Sequence, residues 1–520
     1  TEAFNVLDDK MRVAGAVGLH NLVLEIVEEF GIDYYRQGLR EIVERERRVL
    51  IDRIKTLSVP GSYRYLHFDA VRYKGVVGKL FAEANRDWMI HLPVELTIKG
   101  DGAIAMDMEG LTSEDNFHCN AYESCVRMNS SMGAWPMFTH TVTLNTALYY
   151  MTSWNLPPGS MFNPQNPFAG TVMGLAETGK LNFMWHICLS YAYFARGFLE
   201  ECMVQEPAGS GYGLSGIMAD GFRWAGGDMG LITCWSSSAF PYRDGVAAGY
   251  CTPNPAPDQG ECEVGEFLQP TNLNIGRRLV PNYCGHGKYR GANGICFCQM
   301  ITDPGQSLIV ATFASSGGMG RQAMGICGGY PGINDVVLLA HDTNIRQILK
   351  QGGQYPRDFA EISGWIEDGR LKAGSIDVYN TSTPNISCKD GDLYASSTAA
   401  MGGWGDVLER DLGLIERDIH YGWITADVAE SIYGAVTGPG GQVKLGESKE
   451  LRQRMRLQRK ARSVDARDWW MEERQKVLDQ GFCDDVHNMY VDSTGYEKFW
   501  SEFKGMWQLP ADFKLGKPRL

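Results

Sequence analysis

The sequence contains no Cys-x-x-Cys pair, no His-Glu-x-x-His, no Gly-x-Ser-x-Gly and no apolar run of bilayer length. The first two absences leave no local zinc or redox motif, and the third removes the nucleophile elbow of a serine hydrolase. The longest apolar stretch, around Leu181 to Ala195, is broken by Asn182 and His186 and stops at Arg196. That falls short of the ~20 residues of a spanning helix, so a buried helix is expected and no membrane. Internal repeats and low-complexity tracts are missing too, which excludes solenoids and tails. Positive charge is scarce: 49 Lys and Arg against 62 Asp and Glu leave a net charge of −13. Such a surface repels phosphate backbones and excludes nucleic acid as the main partner.

Cysteine is present but unorganised. Thirteen residues, an odd number, run from Cys119 to Cys483 without framework spacing. Cys296 and Cys298 stand two apart, which on a strand puts both on one face, unsuited to a zinc knuckle. With no secretory leader at the start, reduced thiols and a cytoplasmic location are expected. Glycine is in excess, 61 of 520 residues, gathered in the middle of the chain without a period of three. This predicts many tight turns and irregular connections.

The expected class is α+β, multidomain, with small sheets of short strands, packed helices and glycine-rich loops. Residues 1–58 read as a helical segment, with one helix closed by Gly31 and a second from about Asp33 to Leu57. Either later parts of the chain or another polypeptide must cover their apolar stripes. Residues 59–345 read as a central α+β region. Lys99-Gly-Asp-Gly102 there joins two strand-like runs as a hairpin, because Gly and Asp tolerate positive φ. Residues 346–437 read as a second β-rich region with closing helices. Past Gly438-Pro-Gly-Gly441, residues 447–520 read as a helical, Trp-rich extension.

Few stretches suggest chemistry. Gly174-Leu-Ala-Glu-Thr-Gly179-Lys180 matches a phosphate-binding loop until Leu181 replaces the magnesium-holding hydroxyl, and a helix start is the better reading. Gly211-x-Gly213-x-x-Gly216 lacks the preceding strand of a dinucleotide fingerprint. Gly285-His286-Gly287-Lys288-Tyr289-Arg290-Gly291 is stronger: glycines let amides converge and Lys288 and Arg290 add cations, so the loop either holds a phosphate or carboxylate or is a glycine turn whose cations point into water. His118 and Asn120 follow a strand carrying Asp107 and Glu109, and polar residues just past a strand end commonly form sites. No second histidine stands at ligand spacing, so no metal site can be assembled locally.

Several blocks then resemble one family in order and spacing. Leu148-Tyr-Tyr-Met, Leu156-Pro-Pro-Gly-Ser-Met-Phe-Asn-Pro164 and Thr171 to Thr178 are similar to the central block of the hydantoinase B/oxoprolinase family. Gly287-Lys-Tyr-Arg-Gly291 with Asn293-Gly294, Gly328-Gly-Tyr-Pro-Gly332, Met401-Gly-Gly-Trp-Gly-Asp-Val-Leu-Glu-Arg410 and Ile432-Tyr-Gly434 follow in the family's order. Within it, Ala340-His-Asp-Thr-Asn344 and the tail through Trp507-Gln-Leu-Pro510 look most like the large subunit of acetone and acetophenone carboxylases.

The resemblance implies a subunit of an ATP-dependent ketone carboxylase, with ATP and Mg²⁺ on a hydantoinase A-like partner and with ketone and bicarbonate as substrates. It implies that the family's N-terminal third, with its metal-ligand region, comes from a further subunit or is lost. A divalent metal such as Mn or Zn would then lie elsewhere in the complex, and a small subunit could join it. Lys288, Arg290 and His286 are the expected anion and substrate contacts. His118 with Asn120 would polarise the carbonyl, with Asp107 or Glu109 as base. The alternatives are an ATP-dependent cyclic amidase subunit and a non-catalytic scaffold.

Overall fold

The computed structural model describes residues 2–71, 88–114, 120–138, 145–166, 173–199, 210–228, 236–247, 271–314, 324–379, 386–495 and 497–519. The fold is mixed α+β, as expected, with thirteen α-helices among the described residues and three open sheets.

Helices α1 (Glu2–Phe30) and α2 (Ile32–Leu57) meet at Gly31, whose φ of 86° breaks the run. Leu50 and Ile54 of α2 sink into the first core, so later parts of this same chain cover that end of its stripe. Strands β1 (Gly61–Val71), β2 (Trp88–Ile98), β3 (Ile104–Asp107) and β4 (Thr152–Asn155) form a sheet in sequence order. The expected hairpin is present: Ile98 pairs with Ile104 across Lys99 to Ala103. Inward-facing Leu92, Val94 and Leu96 pack with α3 (Glu123–Phe138), α4 (Ala147–Met151) and α5 (Met173–Arg196). Residues 139–144, between α3 and α4, lie outside the described set.

A second sheet has the order β11 (Ser375–Tyr379), β10 (Val337–His341), β13 (Leu393–Ser397), β8 (Ile295–Ile301), β7 (Asn272–Leu279). Its period of two separates two cores. Leu338, Ala340, Leu393, Ala395, Cys296 and Cys298 face one core, which includes Ile345 of α6 (Ile345–Gln351) and Ile362 of α7 (Phe359–Glu367). Val337, Leu339, Tyr394 and Ile301 face the other. That face packs on a third sheet, β12 (Ile386–Ser387), β9 (Ser307–Ala314), β5 (Ser210–Ile217) and β6 (Arg223–Asp228). Cys296 and Cys298 thus share a buried face, as their spacing requires.

A fourth core gathers Val407, Leu408, Ile415, Ile424 and Tyr433 around α8 (Leu412–His420) and α9 (Ala426–Ser431). The glycine stretch 438–441 is a tight turn, with Thr437 bridging Val443, and it feeds α10 (Leu445–Ala461). That basic helix faces the protein: Arg452 Nε donates to Tyr433 O and Arg459 pairs with Asp406. Helices α11 (Ala466–Leu478), α12 (Asp484–Ser493) and α13 (Glu497–Trp507) follow, and Phe499 of α13 lies against the His91 ring of the first sheet. Among the described residues no helix is long and apolar enough to cross a membrane.

Candidate functional site

Three loops, 285–294, 325–332 and 400–405, are laced together backbone to backbone. Gly285 N donates to Met401 O, Tyr289 and Trp404 exchange both backbone bonds, Ile326 N donates to Gly403 O, and Tyr330 N donates to His286 O. The approach leaves no room for side chains. A Cβ on Gly291 would stand 1.8 Å from Met401 O, and one on Gly332 would stand 1.8 Å from Ala400 O. Eleven of the 61 glycines lie in these three loops, a core built of peptide planes instead of side chains.

Arg290 does not project from the loop to meet a ligand. It is 4 % exposed. Its Nε donates to Asp418 Oδ2 at 3.1 Å, and its Nη1 donates to Asn293 Oδ1 at 2.8 Å and to Gly291 O at 3.1 Å. Arg410, fully buried, donates from both terminal nitrogens to Asp244 at 2.7 and 2.9 Å, and from Nη2 to Asp418 Oδ2 at 2.6 Å. Arg417 joins Asp244 from the surface. Burial pushes the Asp244 carboxyl up, but the Arg410 and Arg290 cations outweigh it and hold it below the usual range. The anion that Arg290 was expected to hold is therefore internal, the Asp418 carboxylate.

His286 and Lys288 of the same loop have different surroundings. His286 Nδ1 lies 2.8 Å from the Tyr433 hydroxyl and 3.7 Å from Cys284 Sγ. Burial, with the Arg290 and Arg410 cations, lowers its pKa to about 4, so the ring is neutral at physiological pH. Burial raises the Cys284 thiol to about 11, which disqualifies it as a nucleophile. Among the described residues Lys288 Nζ, on a side chain 44 % exposed, lies 3.9 Å from Glu409 and 5.9 Å from the centre of the Tyr289 ring.

The other predicted cluster is organised differently. Asp107 Oδ1 accepts from Glu109 N and Asn155 Nδ2, each at 2.9 Å, and Oδ2 pairs with the Lys498 ammonium of α13. Burial raises the Asp107 carboxyl, and Lys498, with the Glu109 amide and Asn155, brings it below the usual range. Glu109 accepts from Lys498 N at 3.3 Å. Asn120 is fully buried beside Ala121, whose N–H donates to Met161 O. His118 lies outside the described residues. Residues 174–180 lie inside α5 and residues 211–216 inside β5, so neither glycine motif forms a phosphate loop. Among the described residues no group of three or more His, Cys, Asp or Glu side chains is arranged to hold a metal ion.

Reasoning from sequence missed Asp244, Asp418 and Tyr433 as partners of this loop. Their signal is a contact 46 to 147 residues away along the chain, which no local spacing encodes.

The hydantoinase B/oxoprolinase family model matches residues 3–407, most of the chain. The chain belongs to the hydantoinase B/oxoprolinase family. Among curated proteins it is 28 % identical to the acetone carboxylase alpha subunit of Xanthobacter autotrophicus, over 99 % of this chain and 67 % of that protein. It is 22 % identical to the acetophenone carboxylase delta subunit of Aromatoleum aromaticum, over 90 % of this chain and 66 % of that protein. The chain thus spans about two thirds of the length of these relatives. A nucleotide-free structure of acetone carboxylase, from work on the mechanism of ATP-dependent acetone carboxylation, superposes with a TM-score of 0.87 at 26 % identity. That match covers 98 % of this chain and 67 % of the other. An ATP-dependent caprolactamase from Pseudomonas jessenii shares the fold, with a TM-score of 0.59 at 17 % identity over 84 % of this chain and 67 % of that one. As a family member, the chain has its interlocked glycine loops inside or at the edge of the matched region, which ends at Val407.

Proposed function

We propose that this hydantoinase B-type chain hosts the carbon–carbon bond-forming step of an ATP-dependent ketone carboxylase, as one subunit of a hetero-oligomer. The observation that carries the reading is the near-complete superposition on acetone carboxylase, 98 % of the chain at a TM-score of 0.87. ATP and Mg²⁺ would reside on a hydantoinase A-like partner, which activates ketone and bicarbonate by phosphorylation. Further subunits, and any divalent metal, would belong to the same complex.

In this reading His286 and Lys288 meet the oxygen anions of the reactants. A ketone carbon becomes nucleophilic only when its enolate oxygen is stabilised, and in this reading a neutral imidazole donor and an ammonium from one loop supply that. The enol–phosphate P–O bond breaks with phosphate departing, the freed enolate carbon attacks the carbon of CO₂ or carboxyphosphate, and as the C–C bond forms the displaced electron pair goes to a carboxylate oxygen of CO₂ or leaves with the phosphate of carboxyphosphate. Water must be kept away from these intermediates, and packed peptide planes serve as a dry wall. Arg290 fixes the loop from within. His118 and Asn120 remain the proposed second contact with the carbonyl. Asp107 or Glu109 would act as base only after separating from Lys498.

The test is the native complex incubated with ATP, a ketone and labelled bicarbonate. Label in a β-keto acid is the expected result. The family also takes its name from ring-opening enzymes, so a cyclic amide opened without label would instead support an ATP-dependent amidase. His286→Ala and Lys288→Ala in an intact complex should each lower turnover at least tenfold, the scale of a lost charge-stabilising donor. Unchanged turnover would favour a scaffold.

A further inference from the structure

The Tyr433 phenol, just past α9, is fully buried and must place its proton somewhere. Among the described residues its hydroxyl has one hydrogen-bond partner, His286 Nδ1 at 2.8 Å, with the two rings edge to face at 5.3 Å. Were Nδ1 to donate instead, the phenolic hydrogen would be left buried without an acceptor, at the cost of a lost hydrogen bond. The thiol of Cys284, also buried, approaches the same nitrogen at 3.7 Å as a second neutral donor. Both donors keep their protons, since burial raises the phenol far above its ordinary value and the thiol to about 11. Arg290 and Arg410 face the ring from the loop and from the chain before α8, and their charges oppose a second proton on the imidazole more than Asp418 favours it. Nε2 has no hydrogen-bond partner among the described residues, and His286 is only partly buried.

We propose that Tyr433 is a positioning residue: its hydroxyl donates to His286 Nδ1 and so holds the imidazole as the Nε2–H tautomer, with the accessible nitrogen a permanent hydrogen-bond donor. Such an edge suits an oxygen anion, a carboxylate, phosphate or enolate oxygen, and cannot act as a general base. The claim rests on the site reading above only in what Nε2–H binds; the tautomer itself stands apart from it.

The experiment uses the full chain with ring-¹⁵N histidine, His286 being assigned by loss of its signal in His286→Asn. The wild type should show the Nε2–H pattern from pH 5 to pH 8 without titrating. In Tyr433→Phe, which keeps the buried ring, His286 should change to mixed tautomers, whereas Cys284→Ala should leave the pattern intact. A wild-type Nδ1–H pattern, or a Tyr433→Phe spectrum identical to wild type, would overturn the proposal. In the assembled complex Tyr433→Phe should lower kcat about five- to tenfold, the worth of one hydrogen bond, with KM nearly unchanged. A confirmed tautomer with unaltered kcat would remove His286 from the proposed reaction and leave the assignment of Tyr433 standing.

Discussion

Arg410 and Asp418 expose none of their side-chain surface, and Arg290 only 5 %. Glu95, Asp107, Lys498 and Arg64, which tie α13 to the first sheet, expose between 19 % and 52 %. Both groups are networks of opposite charges joining distant parts of the chain. Only the first has been taken out of water, so only there does each charge depend on its partner for solvation. The sequence marks both regions as candidates for chemistry by the same token, charged residues next to a turn or strand end. Burial separates them: one is internal bracing for a glycine-built wall, the other a clasp at the surface.

The sharpest way to break this comparison is to remove the shared acceptor. Among the described residues, Asp418→Ala takes the one carboxylate away from the buried Arg290 guanidinium and leaves Arg410 with the Asp244 carboxylate alone. It should cost about 3–5 kcal/mol, measured by urea denaturation of the full chain, or prevent folding outright. Replacing Asp418 by Asn keeps an acceptor and should cost less. Equal, small losses for both would mean that water reaches the network and that its burial means little.

Acid titration ranks next, because each region holds one suppressed histidine. His286 braces the glycine loops, while His91 lies under Phe499 with its Nδ1 on Gly110 O at 2.8 Å, and burial lowers its pKa to about 4. Unfolded, both titrate near their ordinary value. Between about pH 6.5 and pH 4 the unfolded chain therefore binds more protons, and stability must fall as pH falls through that window. The slope is about 1.4 kcal/mol per pH unit for each histidine. Above pH 7 neither contributes any slope. His91→Asn should halve the dependence and leave the part from the glycine loops. A flat profile in the wild type would show that both rings are already protonated or freely solvated.

Legibility followed the range of the interactions. Helix α2 and the Lys99–Gly102 hairpin were readable because their signals are local: period 3.6, period 2 and turn residues. Cys296 and Cys298 were readable as one-faced for the same reason. The glycine loop was legible as special, but the partner of its Arg290 was not. Its composition shows that side chains are excluded, yet whether a ligand or another backbone approaches depends on loops more than a hundred residues away, as with Gly291 and Met401. Arg290 shows the same limit, since a guanidinium beside glycines looks alike whether its carboxylate is a substrate or Asp418. The clasp at Asp107 was invisible because its cation, Lys498, comes from α13, nearly four hundred residues on.

Lys498→Ala probes the smallest effect and completes the contrast. The mutation removes an ammonium shared between Asp107 and Glu95, both able to take water in its place. The rest of the dock remains, with Phe499 on His91 and against Gly110, whose φ of 97° leaves only 3.1 Å between a would-be Cβ and Phe499 Cβ. Global stability should therefore fall by about 0.2–1 kcal/mol, the usual worth of a solvated pair, and less at high salt. Amide exchange in α13 should rise with little change in the glycine loops. A loss near 3 kcal/mol, insensitive to salt, would place the clasp in the same class as the buried bracing. The difference between the two regions would then lie in position along the chain and not in access to water.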